Sequence, residues 1–285
     1  GTAPGVMLQQ GDVWIFAVPG VPSEMEHMMR ELVLPHLSAL AGQVRLVSRV
    51  LKVAGIGESD LAHRIAPVID DLQGASGATI ALLASAGEVK IRVSAKGIED
   101  QAQSAIAPVE VAIRQLLGEL VFGVDDETLE GVIGEMMIAK KMTVAVAESF
   151  TGGMVLSRLV DAPGTSDFLL GGYVTYSNEV KIDDLSVPSS MIEEHGAVSA
   201  EVAVHMAKGA RTRTGADVGL STTGEAGPEP EEKPVGTMFL GLAWEGGATH
   251  RQIMAPGGRA AVRRWGTTAS LNLLRLFLLG KVDAD

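Results

Sequence analysis

The sequence predicts an α/β protein, and three observations indicate this fold class. Over residues 126–281, strand-like apolar runs alternate with segments of helical periodicity, which is typical of a sheet covered by helices on both faces. Over residues 43–123 the order is βαββαβ, as in a split βαβ unit of the ferredoxin type. The chain has 285 residues and 46% hydrophobic residues, enough for about two globular domains. We therefore expect a three-layer α/β/α domain with a mixed sheet, preceded by a small α+β domain.

The first forty residues contain too few predicted elements to form a domain of their own. A strand is expected over 12–18 and a helix over 25–34, with Ser23 as a candidate helix cap. One strand and one helix cannot enclose a core. Residues 1–40 are therefore expected to be the end of a domain whose earlier part is absent.

The middle block, residues 43–123, has strong periodicity. Strands are expected over 44–53, 78–84, 88–95 and 120–122, and helices after the turn at 55–59 and over 99–117. An RNA-binding version of such a unit needs a basic loop and stacking aromatics. Here the loop is acidic at Glu58 and aromatics are almost absent. A structural role is favoured over RNA binding.

The last block, residues 126–281, alternates helix and strand. Ser199 is expected to cap one helix, and Ser190 with Glu193 has the spacing of a capping box. The expected helices cover 128–141, 199–215 and 259–279, and the expected strands cover 143–147, 169–176, 216–222, 235–244 and 249–254. Ligands of such sheets lie at the carboxyl ends of the strands, so the loops 147–153 and 222–228 are expected to face one pocket.

Composition excludes several function classes. The net charge of −12 argues against nucleic acid and anionic membranes as partners, since both need a basic face. No cysteine is present, which excludes disulfides and thiol nucleophiles, and a cytoplasmic location is the default expectation. The apolar run 271–279 is too short to span a bilayer. Histidine spacing predicts no metal site, and the absence of a P-loop and of GxGxxG fits the expectation of no cofactor.

The most informative stretch is 147–153, AESFTGG, between an apolar run and a helical pattern. It predicts strand, tight turn and helix, and a helix start is a ready site for an anion. Its hydroxyls and its carboxylate are candidates for chemistry. The alternative is that Ser149 or Thr151 only caps the helix.

Two further features could complete a site. Lys181 follows an expected strand end, and a lysine beside a serine in a partly dry pocket can act as a base. Arg259, Arg263 and Arg264 open the last helix. Since Arg263 and Arg264 are adjacent and point in different directions, at most one is expected to reach a phosphate. Solvated surface charges remain the alternative for all of these.

Six motifs of this sequence together resemble those of one protein family. The segments AESFTGG, GGYVTYSNEVK, HGAVSAEVA, TGEAGP, EKPVGT and the late arginine pair occur in the order and spacing of the C-terminal domain of the CinA (competence/damage-inducible) family. The resemblance covers about 126–281. Residues 43–123 resemble the family's KH-like middle domain, and GTAPG with PGVPSEM resembles the end of its molybdopterin-binding-like domain.

The resemblance implies a nicotinamide-nucleotide amidase, which hydrolyses nicotinamide mononucleotide to nicotinate mononucleotide and ammonia, and it suggests a homodimer. It implies Ser149 and Lys181 as catalytic candidates, and Tyr176 is expected to be a third. The further residues implied or hypothesised to bind substrate, a small pyridine nucleotide, are Glu148, Thr151, Gly152, Gly153, Asn178, Thr223, Gly224, and Arg263 or Arg264. Backbone N–H groups at 151–153 are expected to hold an oxyanion or a phosphate.

The chain departs from the family pattern at three places: Phe150 replaces a small residue, Glu225 replaces an apolar one, and 229–232 is acidic where glycine is usual. The phenyl ring either fills pocket space or points into the core. Three functions therefore stay open: an amidase, a module that binds a nucleotide without chemistry, and a structural subunit without a ligand.

Overall fold

The structure, a computed structural model, describes residues 3–72 and 77–284. Its strands form a two-stranded, a four-stranded and a five-stranded sheet. No helix in these ranges is long and apolar enough to cross a membrane.

The first segment is a hairpin followed by helical turns. Its elements are β1 (Val6–Gln10), β2 (Val13–Ala17), α1 (Pro22–Met28), a π-helical turn (Met29–Val33) and α2 (Leu34–Ala41). The sequence prediction missed β1, and Ser23 is not a cap, because the helix begins at Pro22 with Val21 before it. Of the side chains in these elements, that of Val33 alone is buried.

The middle segment confirms the predicted βαββαβ order. It consists of β3 (Arg45–Ala54), α3 (Glu58–Leu72), β4 (Ala78–Ser85), β5 (Glu88–Gly97), α4 (Glu99–Leu117) and β6 (Val121–Val124). The sheet order is β4-β5-β3-β6, and every neighbouring pair is antiparallel. Leu61 and Ile65 of α3 and Ile113 of α4 pack against Leu51 and Ile91 of the sheet to form one core.

The last segment contains eleven α-helices and β-strands, and a short 3₁₀ helix (Thr165–Asp167) precedes its second strand. The eleven are α5 (Leu129–Lys140), β7 (Val144–Glu148), α6 (Met154–Val160), β8 (Leu169–Val174), α7 (Asn178–Leu185), α8 (Ser189–His195), α9 (Ala200–Thr214), β9 (Val218–Gly224), β10 (Thr237–Trp244), β11 (Gly247–Met254) and α10 (Arg259–Leu278). Helix α7 was not expected from the sequence.

The five-stranded sheet is mixed, and helices cover both of its faces. The order is β11-β10-β9-β7-β8, with β7 parallel to both neighbours and β10 antiparallel to both of its own. Helices α5, α6 and α10 enclose one core with the sheet, and α7, α8 and α9 enclose the other. This confirms the predicted three layers. Because β7 is central and parallel to its neighbours, its carboxyl end lies between those of β8 and β9.

Two cap predictions had different outcomes. Ser199 caps α9 by accepting a hydrogen bond from Val202 N–H at 3.4 Å. The capping box at Ser190 does not form, because α8 already begins at Ser189 with Pro188 at the N-cap.

The middle and last segments meet through two arginines. Arg158 of α6 pairs with Glu88 of β5 at 2.9 Å and with Glu130 of α5. Arg275 of α10, 3% exposed, donates to the main-chain oxygen of Glu119 at 2.6 Å.

Candidate active site

Ser149 lies where the central strand β7 ends. Its N–H donates to Thr222 O at 3.0 Å, so the β7–β9 pairing continues one residue beyond the strand. The side chain is 8% exposed and lines a cavity. Within the part of the chain that the structure describes, its hydroxyl makes no hydrogen bond. Ser149 is therefore held by its backbone at the cavity wall, with a hydroxyl that no described residue engages.

The carboxylate of Glu148 occupies the start of α6, where the sequence predicted an anion site. Its buried carboxylate accepts hydrogen bonds from the N–H groups of Gly153 at 2.8 Å, Val155 at 3.2 Å and Leu156 at 2.8 Å. The start of α6 thus already holds a negative charge. Glu148 is a helix cap and does not line the cavity, and Ser149 and Thr151 do not cap α6.

Arg263 fixes the turn after Ser149 from outside the cavity. Its guanidinium donates to Phe150 O at 3.0 Å and to Thr151 O at 2.8 Å. The Thr151 hydroxyl pairs with that of Thr222 at 2.7 Å and is buried. Arg263 and Thr151 therefore shape the backbone around Ser149, while Gly152 and Gly153 lie beyond the cavity wall.

Lys181 lies in the first turn of α7, which Ser177 caps. Its side chain is 2% exposed, and its Nζ donates to Tyr176 O at 3.1 Å and to Ser177 O at 3.5 Å. Burial lowers the pKa of Lys181, since a charged amine loses hydration, while the carboxylates of Glu232 and Glu179 act in the opposite direction.

A further wall of the cavity comes from β9 and the loop before α9. The Thr223 hydroxyl donates to Ala197 O at 2.7 Å and ties the strand to that loop. Phe150 is 4% exposed, and its ring lies against Met238 and Gly266 in the core. Its ring points into the core rather than filling the pocket, although Phe150 still contributes to the cavity wall.

Tyr176 and Arg259 stand at the mouth. Arg259 donates to the Tyr176 hydroxyl at 3.0 Å and to the main-chain oxygen of Gly227. Tyr176 is 62% exposed, so it lies away from the buried end where Ser149 and Lys181 are found. Arg264 is exposed outside the cavity. The cavity arginine is therefore Arg259, the first residue of α10, and neither of the two expected from the sequence.

Two glutamates complete the cavity wall. Glu225, 8% exposed, accepts hydrogen bonds from Glu231 N–H at 3.2 Å and Glu232 N–H at 3.3 Å. Glu232 in turn accepts from Val198 N–H at 3.0 Å. The acidic segment that departs from the family pattern is thus tied to the cavity wall by the carboxylate of Glu232 and, through its backbone, by that of Glu225.

The cavity has a volume of about 350 Å³, which is in the range that holds small ligands. It is lined by Ser149, Phe150, Tyr176, Ser177, Asn178, Lys181, Ala197, Val198, Thr223, Gly224, Glu225, Ala226, Glu231, Glu232 and Arg259. Six expected site residues lie outside it: Glu148, Thr151, Gly152, Gly153, Arg263 and Arg264. No cluster of three or more His, Asp or Glu suited to a metal ion occurs among the described residues.

The sequence placed Arg259 at the start of the last helix but favoured Arg263 or Arg264 for the phosphate, and it indicated neither Glu232 as a site residue nor Glu148 as a helix cap. For Arg259 a signal existed, since it directly follows Gly257 and Gly258 at the helix start, where a side chain can reach back toward the loops. For Glu232 the sequence showed only an exposed acidic run.

Comparisons with known proteins cover both larger segments. Residues 126–278 match the model of the CinA C-terminal domain, and residues 48–123 match that of the damage-inducible protein CinA KH domain. A CinA superfamily protein from Escherichia coli has 33% identity and a TM-score of 0.51, over 53% of this chain and 88% of that one. A second, from Klebsiella pneumoniae, has 29% identity and a TM-score of 0.52, over 53% and 96%.

Two curated relatives match over nearly the whole chain. A CinA-like protein of Frankia casuarinae is 43% identical over 100% of this chain and 66% of its own length. A CinA-like protein of Dictyoglomus thermophilum is 39% identical over 98% of this chain and 68% of its own. The chain thus spans about two-thirds of the length of these relatives. With a family model matching more than half of its residues, the chain belongs to the CinA (competence/damage-inducible) family.

Proposed function

We propose that the cavity hydrolyses the carboxamide of nicotinamide mononucleotide to give nicotinate mononucleotide and ammonia. The observation that carries this proposal is the placement of the Ser149 hydroxyl and the buried Lys181 amine in one cavity. A serine and a lysine in a partly dry site are a known pair for nucleophilic attack on acyl carbons.

The proposed chemistry uses both groups in turn. Ser149 Oγ attacks the carboxamide carbon while neutral Lys181 takes the hydroxyl proton. The tetrahedral intermediate expels ammonia, which receives that proton from Lys181 as the C–N bond breaks. Water then hydrolyses the resulting ester and regenerates the serine. In a variant of this scheme, Ser149 positions the water that attacks the carboxamide directly. Burial of Lys181 supports the base role, because it favours the neutral amine.

The N–H group of Phe150 is the candidate to stabilise the oxyanion, because Phe150 lines the cavity whereas Thr151 is fully buried outside it. This N–H has no hydrogen-bond partner among the residues that the structure describes, whereas Gly152 N–H donates to Ser149 O and Gly153 N–H to Glu148. The bond to Ser149 O fixes the peptide plane that carries the Phe150 N–H, and Arg263 holds the next two carbonyls, so this donor needs no reorganisation during reaction.

Arg259 is the group best placed to bind the substrate phosphate. It lies at the mouth, while Ser149 lies at the buried end, so a mononucleotide could extend from one to the other. Guanidinium groups bind phosphate through paired hydrogen bonds. Asn178 and Tyr176 line the path between them, and Thr223 with Gly224 forms the opposite wall.

One observation favours a second candidate, a module that binds a nucleotide without chemistry. Both hydrogen bonds of Lys181 Nζ go to main-chain oxygens rather than to the Ser149 hydroxyl. Catalytic hydrogen bonds often tighten only when substrate is bound, so the amidase stays our first choice. A homodimer and a cytoplasmic location are further proposals, supported here by the family resemblance and the absence of cysteine.

Binding and chemistry are separated by two assays on one preparation. Calorimetry measures nicotinamide mononucleotide binding to Ser149→Ala, and ammonia release measures turnover by the unmodified chain. Binding with release supports the amidase. Binding without release supports the second candidate, and no binding refutes both.

A further inference from the structure

The carboxylate of Glu232 is held in the cavity wall by two contacts. It accepts a hydrogen bond from Val198 N–H at 3.0 Å, and it occupies the space beside Gly196, where an added Cβ would stand 2.6 Å from Glu232 Oε2. Gly196 has φ of +80°, a conformation that side chains oppose. The backbone thus leaves room for this carboxylate in two independent ways.

The neighbouring carboxylate fixes the loop that carries Glu232. Glu225 accepts from the N–H groups of Glu231 and Glu232 at 3.2 and 3.3 Å and is itself 8% exposed. The loop is therefore tied at its own backbone as well as through Glu232. The surrounding backbone therefore holds the Glu232 carboxylate in the wall of the cavity.

A second feature of the same cavity indicates a ligand. The Ser149 hydroxyl, 8% exposed and without a hydrogen-bond partner among the described residues, opens to it. Lys181 lies buried near Glu232, and Arg259 stands at the mouth. The cavity therefore offers a reactive group at its buried end, a cation at its entrance and a carboxylate in its wall.

This order of charges fits one form of the proposed substrate. In an oxidised nicotinamide nucleotide the ring nitrogen carries a positive charge, and the ring lies between the carboxamide and the phosphate. With the carboxamide at Ser149 and the phosphate at Arg259, the ring lies inside the cavity that Glu232 lines. The amidase product keeps the ring cation but carries a carboxylate in place of the carboxamide, so Glu232 attracts it less than it attracts the substrate.

We propose that Glu232 is a specificity-determining residue that selects the cationic pyridinium ring over neutral ring forms and favours the carboxamide substrate over its carboxylate product. This inference rests on the proposed function. A carboxylate roughly 6 Å from a cation in a partly buried site changes affinity by about 10- to 100-fold. Glu232 thereby favours substrate binding and product release together.

The test compares three ligands on the Ser149→Ala chain, in which turnover is blocked. The ligands are oxidised nicotinamide mononucleotide, its reduced form with a neutral dihydropyridine ring, and nicotinate mononucleotide. Dissociation constants are measured by calorimetry for this chain and with Glu232→Gln added. Glu229→Gln is the matched control, since Glu229 belongs to the same acidic segment but does not line the cavity.

We expect the chain with Glu232 to prefer the oxidised form over the reduced form by about tenfold or more. Glu232→Gln should lower that preference about tenfold and narrow the preference for the amide substrate over the acid product, while Glu229→Gln leaves both ratios unchanged. An equal loss for all three ligands, or unchanged ratios, overturns the inference. If Glu232→Gln does not fold, Glu232→Asp serves instead, because it keeps the charge but draws it back from Val198, and it should give an intermediate ratio.

Ammonia release by the unmodified chain separates this inference from the proposed function. A charge preference that depends on Glu232, without ammonia release, supports the inference and refutes the amidase. Ammonia release with no charge preference refutes the inference alone. Failure of all three ligands to bind overturns both.

Discussion

The Nζ atom of Lys181 donates a hydrogen bond to the main-chain oxygen of Tyr176, 3.1 Å away. This partner is neutral, so it satisfies a donor of the buried amine without balancing a positive charge. A lysine that is 2% exposed and bonded to carbonyls loses its proton more easily than one paired with a carboxylate. The contact therefore leaves Lys181 suited to accept a proton.

Activity should depend on pH through Lys181. Because the neutral amine is the base, the rate should rise with pH through the pKa of Lys181, which burial places below its usual value. The carboxylate of Glu232 raises that pKa, so Glu232→Gln should move the rising limb of the kcat profile to lower pH. Glu229→Gln is the control. A limb that stays in place or moves to higher pH contradicts the assignment of Lys181 as the base.

Arg259 should govern recognition of the phosphate. Arg259→Gln removes a guanidinium at the mouth, and a lost charge-assisted contact to phosphate should raise KM for the mononucleotide about 10- to 100-fold. The matched control is Arg264→Gln, on the exposed face of the same helix. The riboside, which has no phosphate, should show no change in KM with either variant. Equal losses for nucleotide and riboside would refute this role.

Glu148 should contribute to stability through helix α6. Its carboxylate accepts from three N–H groups and is fully buried. Glu148→Gln removes the charge and leaves at least one buried donor unsatisfied, which should lower the free energy of unfolding by about 1–3 kcal/mol. Urea denaturation measures this. A change within about 0.5 kcal/mol, as is usual for surface positions, would show that the cap is not important.

The contribution to stability of the contact between the β4–β5 turn and α10 can be measured by comparing alanine variants at two glycines of similar conformation. Gly87 and Gly246 have φ of +84° and +85°. An added Cβ at Gly87 would stand 2.7 Å from Thr268 Cβ, whereas at Gly246 nothing lies within 4 Å. Both alanine variants carry the backbone strain of about 1–2 kcal/mol. Gly87→Ala should therefore lower the melting temperature more than Gly246→Ala does. Equal losses would place the turn away from Thr268.

Long periodic segments could be predicted from the sequence. Helix α4 (Glu99–Leu117) and strand β3 (Arg45–Ala54) lie within one residue of the expected bounds, because their apolar spacing reflects a buried face. Short elements could not be predicted. Helix α7 has eight residues, too few for a clear period. The helices near Ser23 and Ser190 begin before these expected caps, because Pro22 is the first residue of α1 and Pro188 is the N-cap of α8.

Motifs indicated where the site lies better than which side chains face it. Ser149, Lys181 and Thr223 meet in one cavity because the carboxyl ends of β7, β8 and β9 are adjacent, which strand order alone can suggest. The choice between Arg259 and Arg263 depends on the rotation of α10 and on the bonds that fix each guanidinium. A local sequence pattern does not contain this tertiary geometry, so it could not predict which arginine lines the cavity.

Ammonia release from nicotinamide mononucleotide, measured for the unmodified chain, Ser149→Ala and Ser157→Ala, tests the central claim most directly. Ser157 is an exposed serine on α6 outside the cavity, so its variant controls for the loss of a hydroxyl. We expect turnover by the unmodified chain and by Ser157→Ala, and a loss on the order of 10³-fold or more in Ser149→Ala with its melting curve unchanged. Near-normal turnover by a folded Ser149→Ala chain would contradict the assignment of Ser149.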